Sequence, residues 1–378
     1  MNTTLWTCIF WVAATIICYT YFGYPLWLWL RSQWRPLPVH RDSFLPFISI
    51  VLVVRNEQDV LDKKLQSLLS LPYGTDQMEI VVVSDASSDG TVGILKKYCS
   101  EPKIRYLLTP DRRGKAGGLN DAIALARGEI VIFTDARQVV EANTVRYLLE
   151  NFADPSVGCV TGDLLLGDPA CSDPSRGLGI YWRLEKKMWE LESLSGSAVG
   201  VTGAFYAARR ECLPVLPAET VLDDVYIPMA IARQGKRVVL ESRAKAWDAA
   251  LFAPAQEWTR KVRTLSGNYQ LLRLQPWLLS HSNPLRFEFI SHRLLRLAVP
   301  FLLMATLIAT IILPGPLYRL ALGLQLGFYV LSAANFAPLK NNRVARLAHS
   351  AFIFVLMNAA AAAALAKLLT RRQIAWKN

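Results

Sequence analysis

The stretch FISIVLVVRNE (residues 47–57) decides the fold class of this chain. Residues 47–54 are almost all apolar, which predicts a buried strand, and the apolar spacing of Val60–Leu71 predicts a helix after it. A second apolar strand, Glu79–Val83, leads through SDASSDG (84–90) into a further predicted helix, Gly90–Tyr98, and Ile130–Phe133 predicts another strand. Strand–helix alternation of this kind indicates a parallel sheet covered by helices, so we expect an α/β domain.

Polar side chains follow the predicted strands at the points where they end. Asn56 and Glu57 come after the first strand, and Asp85 comes after the second. In open α/β sheets, ligands bind beyond the carboxyl ends of the strands, where a carboxylate can accept a hydrogen bond from a base or a ribose. Because Ser, Asp and Gly also serve turns and helix caps, these residues alone do not distinguish a binding site from a turn.

Two further segments indicate phosphate chemistry. RRGKAGGLN (112–120) combines small residues, which let the backbone approach a phosphate, with cations that include Arg113 and Lys115. Its spacing is not that of a Walker loop. FTDAR (133–137) places Asp135 directly after an apolar strand, where a carboxylate can hold Mg²⁺ or Mn²⁺ against a diphosphate. Without the neighbouring motifs, Asp135 would be an ordinary turn residue.

The second half of the domain adds an acid pair and a basic segment. Asp223 and Asp224 precede an apolar helix, where they can favour the helix dipole or supply a general base. QEWTRKVR (256–263) gathers three cations, among them Arg260 and Arg263. This segment is either a solvated helix face or a clamp on a departing diphosphate.

The composition predicts a chain divided between membrane and globular parts. Of the 378 residues 52% are hydrophobic, yet 19% are charged, which is too many for a protein that is all membrane. The apolar stretches that predict membrane spans are Leu5–Leu30, Leu294–Leu313, Leu317–Pro338 and Leu347–Leu369. Arg31, Arg35 and Arg41 follow the first span, which places the N-terminus outside and the next domain in the cytosol. We therefore expect a multi-pass protein of the inner (plasma) membrane.

Charges near the C-terminus leave the topology open. Four spans would put Arg371 and Arg372 outside, so either the last helix does not cross or the positive-inside rule is overridden there. NYQLLRLQPWLL (268–279) predicts an interfacial helix on the membrane or, equally, a surface helix packed on the domain. The net charge of +12 indicates membrane lipids or a phosphorylated substrate as partners. Nucleic acid is not an expected partner, because no nucleic-acid motif occurs.

The order of these motifs resembles that of the family 2 glycosyltransferases with a GT-A fold. The likeness is greatest to the bacterial membrane group related to cellulose, hyaluronan and poly-N-acetylglucosamine synthases. It covers about residues 46–277 and the flanking spans, and the ordered set is specific although each motif is weak alone. It implies a GT-A nucleotide-sugar-binding domain with a Rossmann-like mixed sheet, plus transmembrane α-helices. The domains it implies are an N-terminal transmembrane helix with a basic linker (1–45), a cytosolic GT-A domain (46–266), an interfacial segment (267–293) and about three C-terminal transmembrane helices (294–378).

The resemblance also implies roles for individual residues. Asp85 resembles the acid that contacts the uracil ring, Asp135 matches the first acid of the metal-binding DxD motif, and Asp224 matches the second acid of the ED pair, the expected general base. The residues expected to bind the nucleotide sugar are Asn56, Glu57, Asp85, Arg113, Lys115, Arg260 and Arg263. Those expected at the acceptor are Gly203, Ala204, Asp223 and Trp258.

Two departures from the family pattern bear on mechanism. The third DxD position is Arg137, so the metal would rest on Asp135, diphosphate oxygens and water. Trp258 precedes the two arginines instead of following them, so the acceptor-stacking Trp of the processive enzymes is not matched and processivity is put in doubt.

The resemblance implies an inverting glycosyltransferase that uses a nucleotide-diphosphate sugar, expected to be a UDP-sugar, with Mg²⁺ or Mn²⁺. The expected acceptor is a growing polysaccharide. One alternative is single addition of a sugar to a lipid-phosphate or lipid-linked acceptor, and another is an inactive nucleotide-binding scaffold of a synthase complex. A second copy of the chain or an export protein would be a compatible partner.

Overall fold

The computed structural model describes residues 3–74, 76–167, 180–248, 254–337 and 342–370. The basic pair Arg371 and Arg372, which leaves the topology open in the sequence, lies outside this range. The strands, in chain order, are β1 (Ile48–Val54), β2 (Met78–Asp85), β3 (Ile104–Thr109), β4 (Ile130–Thr134), β5 (Val139–Val140), β6 (Val157–Leu166), β7 (Phe205–Arg209) and β8 (Arg237–Asp248). The strands predicted near residues 47, 79 and 130 are confirmed as β1, β2 and β4.

These strands form one mixed sheet in the order β3-β2-β1-β4-β7-β6-β8-β5. β3, β2, β1 and β4 are parallel, β7 runs antiparallel between β4 and β6, and β8 pairs parallel with β6. The carboxyl ends of β1, β2 and β4 therefore open at one edge. This arrangement confirms the expected mixed α/β sheet.

The α-helices of the described residues either cover the two faces of the sheet or form long apolar stretches. They are α1 (Thr3–Cys18), α2 (Tyr24–Trp34), α3 (Leu61–Leu69), α4 (Thr91–Lys97), α5 (Gly114–Leu125), α6 (Thr144–Glu150), α7 (Ile180–Ser195), α8 (Asp223–Arg233), α9 (Pro254–Leu274), α10 (Arg286–Phe289), α11 (Leu295–Ile312), α12 (Pro316–Ala333) and α13 (Asn342–Leu369). Even-numbered β1 residues such as Ile50 pack with α3 and α6, whereas Val51 packs with α5 and α8. Apolar side chains on both faces of β1 follow from this double cover.

Four helical stretches are long and apolar enough to cross a membrane: Thr3–Trp34, Arg286–Ile312, Pro316–Phe336 and Arg343–Leu369. The first joins α1 and α2 through a π-helical turn, Tyr19–Gly23, and the second joins α10 and α11 through another, Ile290–Leu294. All four overlap the spans predicted from the sequence.

The segment 268–279 packs on the α/β domain. Helix α9 runs through the domain boundary expected at residue 266 and ends at Leu274. Leu271 and Leu278 are buried in the same core as α5 and α8. These buried side chains pack on the domain, and the position of the segment relative to a membrane stays a prediction.

Candidate active site

The loops after β1 and β2 are tied to each other. Asn56 adopts a left-handed conformation with φ of 54°, and its Oδ1 accepts a hydrogen bond from the backbone N–H of Ser88 at 2.9 Å. The backbone N–H of Glu57 donates to Thr91 Oγ1 at 2.9 Å. Asparagine tolerates the left-handed region better than most residues, which explains its use at this turn.

Asp85 is buried at the end of β2 and binds the start of α5. Its Oδ1 accepts the backbone N–H of Arg113 at 2.6 Å, and its Oδ2 accepts that of Gly114 at 3.0 Å. Each carboxylate oxygen has a second lone pair, so a contact with a base remains open to Asp85. The Arg113 side chain is half exposed and pairs with Asp121 at 2.6 Å.

Gly118 of GKAGGLN allows helix α5 to pack against the sheet. A Cβ on Gly118 would lie 2.5 Å from Val53 Cγ1, so this glycine lets α5 approach β1 closely. The close approach places Lys115, in the first turn of α5, over the ends of the strands. Gly118 faces the sheet, and the approach of this backbone to a phosphate stays a prediction.

Lys115 joins two acids from different parts of the chain. Its Nζ lies 3.4 Å from Asp135 Oδ1 and 3.3 Å from Asp223 Oδ2. Burial alone would lower the pKa of Lys115, but Asp135, Asp223 and Asp224 together raise it above its ordinary value. Lys115 therefore stays positively charged beside these three carboxylates.

A buried lysine that the sequence did not single out supports the turn carrying Asp135. Lys64 on α3 donates from Nζ to Thr134 Oγ1 at 2.9 Å and to the Gln138 carbonyl at 2.7 Å. Burial lowers its pKa to about 7, against the opposing charge of Asp135. The two bonds span residues 134–138 and fix the conformation of the turn.

Asp224 has the surroundings of a general base. Its Oδ1 is buried and makes no hydrogen bond to the part of the chain that the structure describes. Burial and the neighbouring charge of Asp223 raise its pKa to about 6, while Arg293, Lys115 and Arg263 lower it. A carboxylate with a pKa near working pH is suited to accept a proton from a hydroxyl.

Gly203 lies against Asp224. A Cβ on Gly203 would be 3.3 Å from Asp224 Oδ2, and the backbone N–H of Val201 donates to the Asp224 carbonyl at 3.0 Å. Ala204 follows and is buried at the start of β7. Gly203 and Ala204, which are expected to contact the acceptor, therefore lie next to Asp224, the expected base.

Arg293 is a site residue that the sequence did not identify. It lies in the π-helical turn before α11, and its guanidinium is so close to Gly200 that a Cβ there would be 2.5 Å from Nη2. Its Nε is buried with no hydrogen bond to the described residues. No motif marks Arg293, because it reaches Asp224 from a segment 69 residues away in the chain.

A buried polar network holds the element that carries Arg293. His292 contacts Glu192 through Nδ1 at 2.7 Å and Glu185 through Nε2 at 3.0 Å, and both acids lie on α7. Tyr24 on α2 donates to the same Glu192 at 2.7 Å. The network joins α2 and the turn Ile290–Leu294 to α7, so the position of Arg293 depends on these three elements.

Helix α9 has one face near Asp224 and another in an apolar cluster with α13. Arg263 is close enough to Asp224 to lower its pKa, and Arg260 lies one turn earlier on the helix. Trp258 packs in an apolar cluster with Val262, Ala360 and Ala364, so its indole contacts α13. The role of Trp258 at the acceptor stays a prediction.

The strand-end acids fit a metal ion that arrives with a diphosphate. Within the described ranges, no group of three or more His, Cys, Asp or Glu side chains could hold an ion by itself. The side chain of Asp135 lies beside Lys115, and 41% of its surface is exposed to solvent. Since Mg²⁺ is commonly bound through one or two carboxylates plus substrate phosphates, Asp135 suits that kind of site and not a resident, protein-only one.

Glu57 and Arg137 border this position. Burial raises the pKa of Glu57, Arg137 opposes the shift, and Asp135 adds to it, so all three charges lie close together. The structure therefore brings Glu57, Lys115, Asp135, Asp223 and Asp224 to one edge of the sheet, with Gly203 and Arg263 beside them.

The mixed α/β sheet and its strand-end site are of the GT-A type. Residues 49–213 match the family model described as glycosyl transferase family 2, which confirms the resemblance seen in the motifs. A solved structure with a similar fold is the mannosyltransferase PcManGT from Pyrobaculum calidifontis in complex with GDP-Man and Mn²⁺. It superposes with a TM-score of 0.72 at 22% identity, over 96% of this chain and 99% of that one.

Curated relatives are similar to this chain over part of their length. Poly-beta-1,6-N-acetyl-D-glucosamine synthase of Staphylococcus aureus strain MSSA476 is 25% identical over 273 residues, which cover 70% of this chain and 63% of the relative. The synthase of the same name from Staphylococcus epidermidis is 26% identical over 239 residues, or 61% and 56%. The chain thus matches less than two thirds of the length of these relatives.

Proposed function

We propose that this protein is a membrane glycosyltransferase that moves a sugar, with inversion, from a UDP-sugar to a growing polysaccharide. The observation that carries the proposal is the buried Oδ1 of Asp224, which has no hydrogen-bond partner among the described residues, beside the Lys115–Asp135 pair. A base and a diphosphate-binding group at one strand edge are what sugar transfer requires. The names of the staphylococcal relatives support a polymeric product.

The transfer is a single displacement. Asp224 Oδ1 takes the proton of an acceptor hydroxyl. At the same time the hydroxyl oxygen of the acceptor bonds to the anomeric carbon from the face opposite the diphosphate. The bond from the anomeric carbon to the diphosphate oxygen breaks, and its electron pair leaves with the nucleoside diphosphate. Lys115, Arg260 and Arg263 stabilise the charge on that leaving group.

We propose that Mg²⁺ or Mn²⁺ enters with the donor and is held by Asp135. The Mn²⁺ in the complex of the Pyrobaculum mannosyltransferase supports the use of a divalent ion. When bound, the ion neutralises charge on the diphosphate. Arg137 adds a second positive charge at the position where the family has its second acid.

A lipid-linked acceptor is a second candidate, favoured by one cavity. The cavity lies between the domain and the apolar helices, and its lining includes Tyr21, Asn268, Arg293, Leu297 and Asn358. Arg293 connects it to Asp224. An acceptor held in the bilayer could reach the base by this route.

The product separates the two acceptors. We expect membranes that contain the full chain, given the labelled nucleotide sugar that it uses, to make a ladder or high-mass material that a glycosidase degrades. Gel filtration and thin-layer chromatography of the extract measure this. A single lipid-soluble product with one sugar, and no longer species at long times, would establish the lipid-linked acceptor instead.

The pH dependence tests the assignment of the base. Because Asp224 must be deprotonated and its pKa is about 6, kcat/KM should fall about tenfold per pH unit below that value and level off above it. Arg293→Gln removes a charge that lowers this pKa, so the acid limb should move to higher pH. Asp223→Asn removes a charge that raises it, so the limb should move to lower pH. Shifts in the same direction for both variants would contradict the assignment.

A further inference from the structure

The apolar helices form a bundle whose outer end can be recognised. Phe10, Ala309 and Leu313 pack there with Trp6, Tyr318 and Ala321, which brings together α1, α11 and α12. At the other end of the bundle, Arg31 pairs with Glu288 and Ser195 next to the catalytic domain. None of the six residues of the outer cluster belongs to α13.

The first half of α13 contacts the inner end of the bundle. Phe352 lies 5.1 Å, ring to ring, from Phe336, at the end of the short turn Ala334–Phe336 after α12. Phe354 lies 5.2 Å from Tyr21 and 5.5 Å from Phe328. These contacts are on the side of the bundle that faces the catalytic domain.

The second half of α13 stays at the domain. If α13 crossed antiparallel to α12, the ten residues from Phe354 to Ala364 would carry it about 15 Å outward, to the level of Tyr318. Ala360 and Ala364 instead pack with Val262 and Trp258 of α9. Helix α9 belongs to the catalytic domain and carries Arg260 and Arg263, so α13 runs along the domain and not away from it.

Basic residues lie near both ends of α13. Arg343 and Arg346 are exposed in its first turns, and Lys367 is exposed in its last. Crossing a membrane would place one of these ends outside, against the positive-inside rule. Basic ends suit contact with anionic lipid headgroups on the cytosolic side.

We infer that α13 does not cross the membrane but lies along its cytosolic surface, with α9 on one face and lipid on the other. Helix α13 is then long and apolar because one face is buried against protein and the other against lipid. The inference rests on the proposed membrane location of the chain and not on its activity. It also makes Met357, Asn358 and Ala361 a wall of the cavity that Arg293 lines.

Cysteine accessibility in intact cells tests the inference. The background is the full chain with Cys8→Ser, Cys18→Ser, Cys99→Ser and Cys171→Ser, and the probes are Lys367→Cys and Leu369→Cys, both at exposed positions near the end of α13. Pro314→Cys, between α11 and α12, is the outside control, and Ser43→Cys is the cytosolic control. A membrane-impermeant maleimide should label Pro314→Cys in intact cells, and the other three only after permeabilisation.

Labelling of Lys367→Cys or Leu369→Cys in intact cells would overturn the inference. A fusion of alkaline phosphatase after Thr370 gives an independent answer, because the enzyme is inactive in the cytosol and active outside. The controls separate this result from the proposed location: labelling of Ser43→Cys from outside would contradict a cytosolic catalytic domain, whatever the position of α13.

Discussion

Asp224→Asn is expected to lower sugar transfer by at least about 10²-fold while donor binding persists. The amide keeps the size of the carboxylate but cannot take the proton of the acceptor hydroxyl. Asp224 Oδ1 is the buried oxygen that makes no hydrogen bond within the described residues, so this change affects the group best placed for that proton. Turnover with labelled donor measures the loss, and calorimetry with the nucleoside diphosphate measures binding.

Asp223→Asn is the matched control for Asp224→Asn. Asp223 Oδ2 pairs with Lys115 at 3.3 Å, so its charge positions the lysine and does not face the acceptor. We expect a smaller loss of transfer and weaker nucleotide binding. An inactive Asp223→Asn protein beside an active Asp224→Asn protein would show that the base is the first acid of the pair. Full activity in both would contradict a role for either acid as the base, whereas nucleotide binding without transfer by the unaltered chain would favour the inactive scaffold.

Removal of divalent ions is expected to abolish transfer, and Mg²⁺ or Mn²⁺ should restore it. Lys115 neutralises only part of the negative charge of the departing diphosphate, because this lysine is already paired with Asp135 and Asp223. Asp135→Asn should reduce activity to near the detection limit at ordinary ion concentrations. Raising the Mn²⁺ concentration should recover part of it, because diphosphate oxygens still hold the ion.

The control for Asp135→Asn is Asp76→Asn. Asp76 is an exposed acid just before β2, at the opposite edge of the sheet, and its loss should leave metal dependence unchanged. Full activity of the unaltered chain in excess chelator would mean that Arg137 and its neighbours neutralise the diphosphate without an ion. Arg137→Asp, which restores the family's second acid, should then create the metal dependence that the chain lacks.

Much of the catalytic domain could be predicted from the sequence. Buried strands such as Ile48–Val54 have apolar side chains on both faces, and their polar ends mark the ligand edge. Lys115, Asp135 and Asp224 were predicted as site residues because each lies in a short motif. Asp135 follows the parallel strand β4, and the ion pairs of Lys115 with Asp135 and Asp223 show that the start of α8 meets it at the same edge.

The remaining site residues depend on contacts between distant segments. Lys64 lies in an ordinary amphipathic helix, and only the packing of α3 beneath β4 brings its Nζ to Thr134. Arg293 counts in the sequence as a basic residue before a span, and its proximity to Asp224 depends on the network around His292. Local patterns carry no information on such pairings.

The bridge from Lys115 to Asp135 and Asp223 implies an order of substrate arrival. While the site holds no donor, the lysine neutralises the acids that flank the base. A diphosphate would draw the ammonium toward itself, leaving Asp223 and Asp224 with less compensating charge, and so would make Asp224 a stronger proton acceptor. An acceptor that arrives first would therefore meet a weak base. Steady-state kinetics should accordingly be sequential, with the nucleotide sugar bound before the acceptor, and the same lysine would limit wasteful activation of water in the empty enzyme.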